Sequence, residues 1–335
     1  MNPRRRRIEA RVRLTRLALG AWAAQVLFVA NDLGVFDLLD REGPATGSEI
    51  ATRLGTDADA TSRLLGALVA AGLLEHEGDR FANSDTTREL LVSGKPETIS
   101  TWVSLMGRWT ENFANLGESV RTGKPAGTPE GHTLEELRSY MHAMHEFAVG
   151  PGREFARHLN LEGRRRLLDV GGGPGSYSIL LAEANPELSC TVFDLPDVVR
   201  VAAEMIEQHG AAARVSTHAG DYNADPIPPG YDVVLISNTL HQEDEEAVRG
   251  LLSKVFDAIE PGGICVIHGL PLNETKDGPL WPALLNVQLR LVSQGGRAYT
   301  VEEYREQLLA AGFVEPFAHA MSTFNANSYV VARRP

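Results

Sequence analysis

The sequence predicts an α/β protein, with a doubly wound parallel sheet in its second half and a mostly helical, winged-helix-like unit before it. Three observations predict it. An apolar strand runs into a glycine-rich turn at 167–175, and three more short β-branched or aromatic runs follow, separated by helical segments. Ahead of these, helix, helix and hairpin succeed one another within the first 82 residues. A length of 335 residues suggests about two domains. The expected boundaries are 1–95 for the N-terminal domain, 96–160 for a helical connector and 161–335 for the sheet domain.

Arg16–Leu39 is largely apolar and reads as helical, closed by Leu33-Gly34-Val35-Phe36. Arg4–Arg7 reads as a solvated tail. Together with Leu14–Ala30 this run has the outline of a signal peptide, but Arg11, Arg13 and Arg16 interrupt it and no clear cleavage site follows. An amphipathic helix is the better reading. No window reaches the ~18 consecutive apolar residues of a membrane span. Thr46-Gly47-Ser48-Glu49 offers an N-cap to Ile50–Leu54, because a hydroxyl accepts from the exposed amides of a first turn. Asp57–Ala71 forms the next helix, and residues 73–82 form a hairpin turning at Glu77-Gly78-Asp79. A winged helix invites a DNA-binding reading, which needs basic residues to neutralise phosphates. Asp57–Ala71 supplies Arg63 against Asp57 and Asp59.

Charge points the same way. A net charge of −12 disfavours nucleic acid or an anionic membrane as main partner, and 43% hydrophobic residues support sizeable cores. Cys190 and Cys265 fall in expected core strands, so neither a disulfide nor a metal role is expected and the cytoplasm is the expected compartment.

In the connector, Trp102, Met106 and Trp109 occur at helical spacing, and Tyr140, Met141, Met144, His145 and Phe147 form a second cluster. Such stripes are usually core. Gly123–Gly131, rich in glycine and proline, reads as an exposed loop.

In the sheet domain, Gly171, Gly173 and Gly175 alternate after Leu167-Leu168-Asp169-Val170, and a helix, Ser176–Ala184, follows. Glycine suits backbone angles other residues avoid and lets a ligand approach the bare main chain. The dinucleotide fingerprint needs a third glycine where Ser176 stands, and no Gly-Lys-Ser/Thr ending marks a phosphate loop. A second strand, Ser189–Phe193, ends at Asp194, near the ~20-residue offset of a ribose-binding acid. A third, Ala213–His218, leads to Gly220-Asp221-Tyr222, and a fourth, Tyr231–Ile236, ends in Ser237-Asn238-Thr239-Leu240-His241. Ligands of doubly wound sheets sit beyond the carboxyl ends of strands, so all four segments reach one rim.

With these motifs the chain resembles the class I S-adenosylmethionine-dependent methyltransferases, and more narrowly the small-molecule O-methyltransferases of plant caffeate and bacterial natural-product pathways. Asp169–Gly175, Phe193–Pro196, Gly220–Tyr222, Leu240-His241, Glu260–Gly263 and Ala311-Gly312-Phe313 carry the resemblance. It implies a Rossmann-like domain that uses S-adenosylmethionine, a small and aromatic hydroxyl substrate, and a homodimer formed through the N-terminal domain. In that family the first helices cover the partner's active site. Leu17–Val29, with Trp22 and Phe28, fits such a surface and equally a private core.

The resemblance also implies roles. Asp194 would hold the ribose hydroxyls, Asp221 the adenine amino group and Tyr222 the adenine face, while Gly171 and Gly173 would admit the methionine portion. Asp169, Leu195, Gly220, Ser237 and Asn238 complete the donor set. Trp102, Met106, Met144 and His145 would line the acceptor pocket. Asn286, Leu289 and Val292, on the helix before Gly295, fit pocket wall and packing alike.

Methyl transfer to a phenol, with a pKa near 10, gains from a positioned base, and a histidine near 6.5 accepts that proton at neutral pH. His241, at the end of the fourth strand, matches the family's base. Asp-Trp usually follows it there; here Gln242-Glu243 does, and Asp244, Glu245 and Glu246 open the next helix. Ala298 stands where plant relatives carry the acid that orients the base, and Ser237 where they carry a donor-touching lysine. Two other functions remain open at this point. A carbon methyltransferase acting on an α-keto acid or similar carbon, with a helping metal, would need convergent ligands, and no second histidine lies near Gly295. A binding or regulatory protein would keep the fold without the chemistry.

Overall fold

The computed structural model describes residues 3–128 and 133–335; the end of the expected loop 123–131 lies outside the described residues. The chain divides into two compact units, Met1–Thr110 and Glu111–Pro335.

The first unit opens with α1 (Pro3–Asp32) and α2 (Val35–Glu42), separated by Gly34 at a left-handed φ of 73°. Then come β1 (Ala45–Thr46), α3 (Gly47–Leu54), α4 (Ala58–Ala70), the hairpin β2 (Leu74–Glu77) and β3 (Arg80–Asn83), α5 (Asp85–Leu90) and α6 (Ser100–Phe113). Thr46 and Glu49 form a reciprocal capping box on α3, and Asp57 caps α4 through the amide of Ala60. The strands pair in the order β1-β3-β2. Phe36, Leu39, Ile50, Leu65, Leu68 and Phe81 form the core beneath them.

The start of α1 corrects two expectations. Arg4–Arg7 is its first full turn and no tail. Nor is the helix amphipathic: its apolar residues are not gathered on one face, and residues 4–23 are all exposed, with Leu17 78% and Trp22 73% accessible. Only its last turns, through Val26, Leu27, Phe28 and Ala30, join the core. By length and composition alone, Arg4–Asp32 is long and apolar enough to cross a membrane.

The second unit continues with α7 (Leu116–Thr122), α8 (Leu134–His158), β4 (Arg166–Val170), α9 (Ser176–Ala184), β5 (Ser189–Asp194), α10 (Pro196–Gln208), β6 (Val215–Ala219) and β7 (Tyr231–Ser237). A 3₁₀ turn (Leu240–Gln242) then precedes α11 (Glu245–Ala258), β8 (Ile259–Gly269), α12 (Leu280–Val292), α13 (Val301–Ala310), β9 (Val314–Ala320) and β10 (Ser328–Arg333). The third strand thus begins and ends slightly later than its sequence pattern indicated. The seven strands run in the order β6-β5-β4-β7-β8-β10-β9, with β10 antiparallel to both neighbours.

That order places β4 and β7 side by side where the winding reverses, the usual ligand crevice of such sheets. Both faces are covered. Leu167, Val192, Val233 and Val266 pack with Phe155, Leu181 and Met205 on one side. Leu168, Val170, Val234 and Ile236 pack with Val248, Leu252 and Leu308 on the other. Burial on both faces explains the unbroken apolar runs Leu167-Leu168 and Val233–Ile236 in β4 and β7. Each such side chain contributes roughly 1.5–3 kcal/mol by leaving water, and together they hold the strand tips in register. Cys190 and Cys265 are free, buried thiols of β5 and β8.

Candidate active site

The glycine turn after β4 is built for close approach. Gly171 has φ 65°, and a Cβ there would lie 2.6 Å from the Thr239 methyl carbon; Gly173 has φ 52° and faces open space. The first glycine lets two strand tips touch, and the second leaves bare backbone for a ligand. Thr239 Oγ1 also donates to the carbonyls of Val170 and Gly171, tying the tip of β7 to the turn.

Asp194, at the tip of β5, accepts from the Gly173 amide through Oδ2 and from the Leu195 amide through Oδ1, each at 2.8 Å. Burial pushes its carboxyl up, while the two amides pull it back. Each carboxylate oxygen keeps lone pairs free, so the group can accept further hydrogen bonds from a ligand's donors. Leu195 is exposed beside it. Asp169 is different. It is wholly buried, its Oδ2 accepts from Ser178 Oγ at 2.8 Å, its Oδ1 has no partner, and burial raises it to about 7. A Cβ on Gly172 would press against its carboxyl carbon at 2.7 Å, so Asp169 lies under the turn as a support.

On the far side of β5, Gly220 is required by Phe193, whose ring would stand 2.3 Å from any Cβ there. Asp221 Oδ1 accepts from the Asn223 amide, the turn-forming role that such residues commonly take. The Tyr222 phenol donates to Glu243 Oε1 at 2.8 Å.

His241 sits in the 3₁₀ turn beyond β7. Among the described residues its imidazole has no hydrogen-bond partner. Removal from water lowers it to about 4, so it is neutral and free to accept a proton. Among the described residues no acid bonds the His241 imidazole in place of the orienting group missing at Ala298. Instead the main chain holds the histidine: its carbonyl accepts from the Arg297 amide at 2.9 Å. Asn286 Oδ1 fastens the same loop through the Ala298 amide, also at 2.9 Å.

Residues 118–314, more than half of the chain, match the O-methyltransferase domain family. The chain belongs to the O-methyltransferase family. Residues 15–93 match the O-methyltransferase dimerisation domain. A 3-hydroxy-5-methyl-1-naphthoate 3-O-methyltransferase of Streptomyces sahachiroi is 37% identical over 95% of this chain and 93% of its own. An L-tyrosine C(3)-methyltransferase of Streptomyces lavendulae is 30% identical over 89% and 85%. Among solved structures, human N-acetylserotonin methyltransferase in complex with S-adenosylmethionine superposes with a TM-score of 0.88 at 27% identity, covering 97% of each chain. The protein is therefore an S-adenosylmethionine-dependent methyltransferase with a Rossmann-like domain.

The open backbone at Gly173 and the unfilled acceptor positions of Asp194 fit that donor. The buried Oδ1 of Asn238, without a partner, adds to them; its residue has φ 55° and its amide donates to the His268 carbonyl. Ser237 is already engaged. Its Oγ lies 2.8 Å from His268 Nδ1, and His268 stacks on Phe155 with 4.5 Å between ring centroids. Sequence reading missed this pair because its members are 31 residues apart and neither belongs to a motif.

The expected acceptor residues disperse. Met144 is half-buried on α8, while His145 Nδ1 lies 2.8 Å from Ser176 Oγ, with the ring 4.3 Å from that of His209. Leu289 is buried packing on α12 and Asn286 is the loop fastener above. Trp102 and Met106 belong to the first unit, where Trp102 packs on the N-terminal core. Among the described residues no group of three or more His, Cys, Asp or Glu is placed to hold a metal ion.

Three histidines give the fold an acid sensitivity: His268 is buried, and His145 and His241 are half-buried. Burial lowers His145 and His241 to about 4 and His268 to about 3. Their folded values lie below the ordinary 6.5, so the unfolded chain binds more protons as pH falls through that value. Their contribution is complete above pH 6.5 and is lost on acidification towards 4, whereas Asp169, raised to about 7, acts in the opposite direction. The thermal midpoint is expected to fall between pH 7 and 5, and less steeply in His268→Gln. A midpoint that does not fall would contradict these assignments.

Proposed function

We propose that this methyltransferase acts on a hydroxyl of a small aromatic natural product, with His241 as the general base. The neutral, unpartnered imidazole carries the reading, because it follows Thr239, the residue seated on the glycine turn, by two positions. The naphthoate relative, whose name records a ring hydroxyl as acceptor, supports the substrate class.

When bound, S-adenosylmethionine supplies a methyl group on a positively charged sulfur, open to in-line displacement. Asp194 holds the ribose, Leu195 and Tyr222 flank the purine, and Asp221 offers its remaining oxygen to the exocyclic amine. Gly171 and Gly173 admit the methionine portion, supported from below by Asp169. Gly220, Ser237 and Asn238 shape the wall. His241 would take the proton of the acceptor's hydroxyl. Holding both partners at attack distance supplies much of the rate, up to about 7–11 kcal/mol in favourable intramolecular cases. Calorimetry with S-adenosylmethionine, followed by turnover of a panel of hydroxynaphthoates and hydroxybenzoates, tests the reading. A new O-methyl resonance in the product supports it, and a new C-methyl resonance would replace it with the reaction named for the tyrosine relative.

The exposed apolar turns of α1 and the matched dimerisation domain support a homodimer formed through the N-terminal unit. Nucleic acid does not fit α4, whose Arg63 is paired with Asp59 at 2.8 Å. A membrane does not suit the arginines at 11, 13 and 16 within the exposed part of α1. Trp22→Asp is expected to convert the dimer to monomer in sedimentation; an unchanged mass would remove α1 from the interface.

A further inference from the structure

Glu243 is the first residue after the 3₁₀ turn and the first acid of the run Glu243–Glu246. That run divides. Asp244 is the cap, accepting from the amides of Glu246 and Ala247, and Glu245 and Glu246 lie in the first turn. Glu243 has an extended backbone, and its side chain reaches to the loop after β6. One oxygen, Oε1, accepts from the Tyr222 phenol at 2.8 Å and from Asn223 Nδ2 at 3.0 Å.

Its main chain is held as firmly. The Glu243 amide donates to the Leu240 carbonyl at 3.1 Å, and its carbonyl accepts from the Tyr299 phenol at 2.9 Å. Lys254, from α11, reaches the other side of the same loop and donates to the carbonyls of Tyr222, Asn223 and Asp225. Burial, and then the carboxylate itself, push the Tyr222 phenol above its ordinary value, so it remains a donor at any working pH.

We infer that Glu243 is a positioning residue for methyl transfer: its carboxylate clasps Tyr222 and Asn223 to the short turn that carries His241. The inference rests on the proposed donor site. Lys254 ties the loop that bears Tyr222 to α11, whereas the Glu243 carboxylate ties it to the residue that follows the base-bearing turn directly. The clasp makes loop and turn one body, so a donor that orders Tyr222 also steadies the imidazole. Coupling of this kind needs an acceptor atom at the position of Oε1 but not a charge, which separates it from simple electrostatic attraction for the cationic donor.

The test uses the full-length protein and S-adenosylhomocysteine, a neutral-sulfur probe of the same site. Calorimetry on Glu243→Ala is expected to show binding about tenfold weaker, whereas Glu243→Gln, whose amide oxygen still accepts, stays within about threefold of wild type. Tyr222→Phe removes one donor of the clasp. The double variant Tyr222→Phe/Glu243→Ala is expected to bind no worse than Glu243→Ala alone, because both changes break one contact. At saturating donor, Glu243→Ala is also expected to lower kcat while leaving the acceptor's KM within about twofold, as loss of a positioned base does. Wild-type affinity and kcat in Glu243→Ala, strictly additive single variants, or equal damage from alanine and glutamine would each overturn the clasp. Absence of binding by the wild-type protein would overturn the donor site itself, and the clasp with it.

Discussion

Replacing His241 with alanine is expected to lower kcat by about 10²–10⁴ while leaving donor affinity unchanged, since general-base catalysis contributes on that scale. The imidazole sits at about 4 because it is withdrawn from water. A phenol near 10 therefore stands about six units above it, and complete proton transfer in the ground state would cost roughly 8 kcal/mol. Transfer has to accompany arrival of the methyl group, when negative charge on the acceptor oxygen is already being spent on the new bond. Two outcomes distinguish this from mere packing. Acceptors with more acidic hydroxyls, such as nitrophenols, should depend less on His241 than unsubstituted phenols do. The acid limb of kcat/KM should lie below pH 5 rather than near 6.5, because a base with a lowered pKa stays neutral further into acid. An alanine variant with wild-type kcat would remove the base assignment.

Substituting Asp194 with alanine is expected to weaken donor binding by about 30- to 1000-fold, or roughly 2–4 kcal/mol. Two losses combine. The proposed ribose hydroxyls lose a charged acceptor, and the amides of Gly173 and Leu195 lose the oxygens that hold the turn in place. Asp194→Asn separates them, because its amide oxygen can still serve one backbone amide while its nitrogen serves neither. It is expected to bind with intermediate affinity. Burial already disfavours this charge, so neither variant is expected to lose much stability at neutral pH. Calorimetry paired with thermal melts reads both quantities. Wild-type affinity in Asp194→Ala would place the ribose elsewhere.

Much of this was legible in the chain wherever local chemistry decides. The bounds of α9 at Ser176–Ala184, the Thr46 capping box and the Asp244 cap follow from short-range rules, and the structure contains each of them. The glycine turn and the succession of strand tips were legible for the same reason: a parallel sheet sends all its carboxyl ends to one rim. What stayed hidden depends on distant partners. Ser237 reads as a free hydroxyl until His268 arrives from β8, and Glu243 reads as helix-opening charge until Tyr222 folds against it. Asp169 reads as a ligand-facing acid, yet Ser178 and Gly172 cover it. That residues 4–23 of α1 lie exposed was hidden for the same reason, because it depends on which distant residues pack against the helix.

The most direct test is a crystal structure with S-adenosylhomocysteine bound. The nucleoside is expected to lie across Gly171–Gly173 with its ribose on Asp194, its purine under Tyr222 and its sulfur turned towards His241. A ligand seated elsewhere, or an imidazole directed away from that sulfur, would contradict the account.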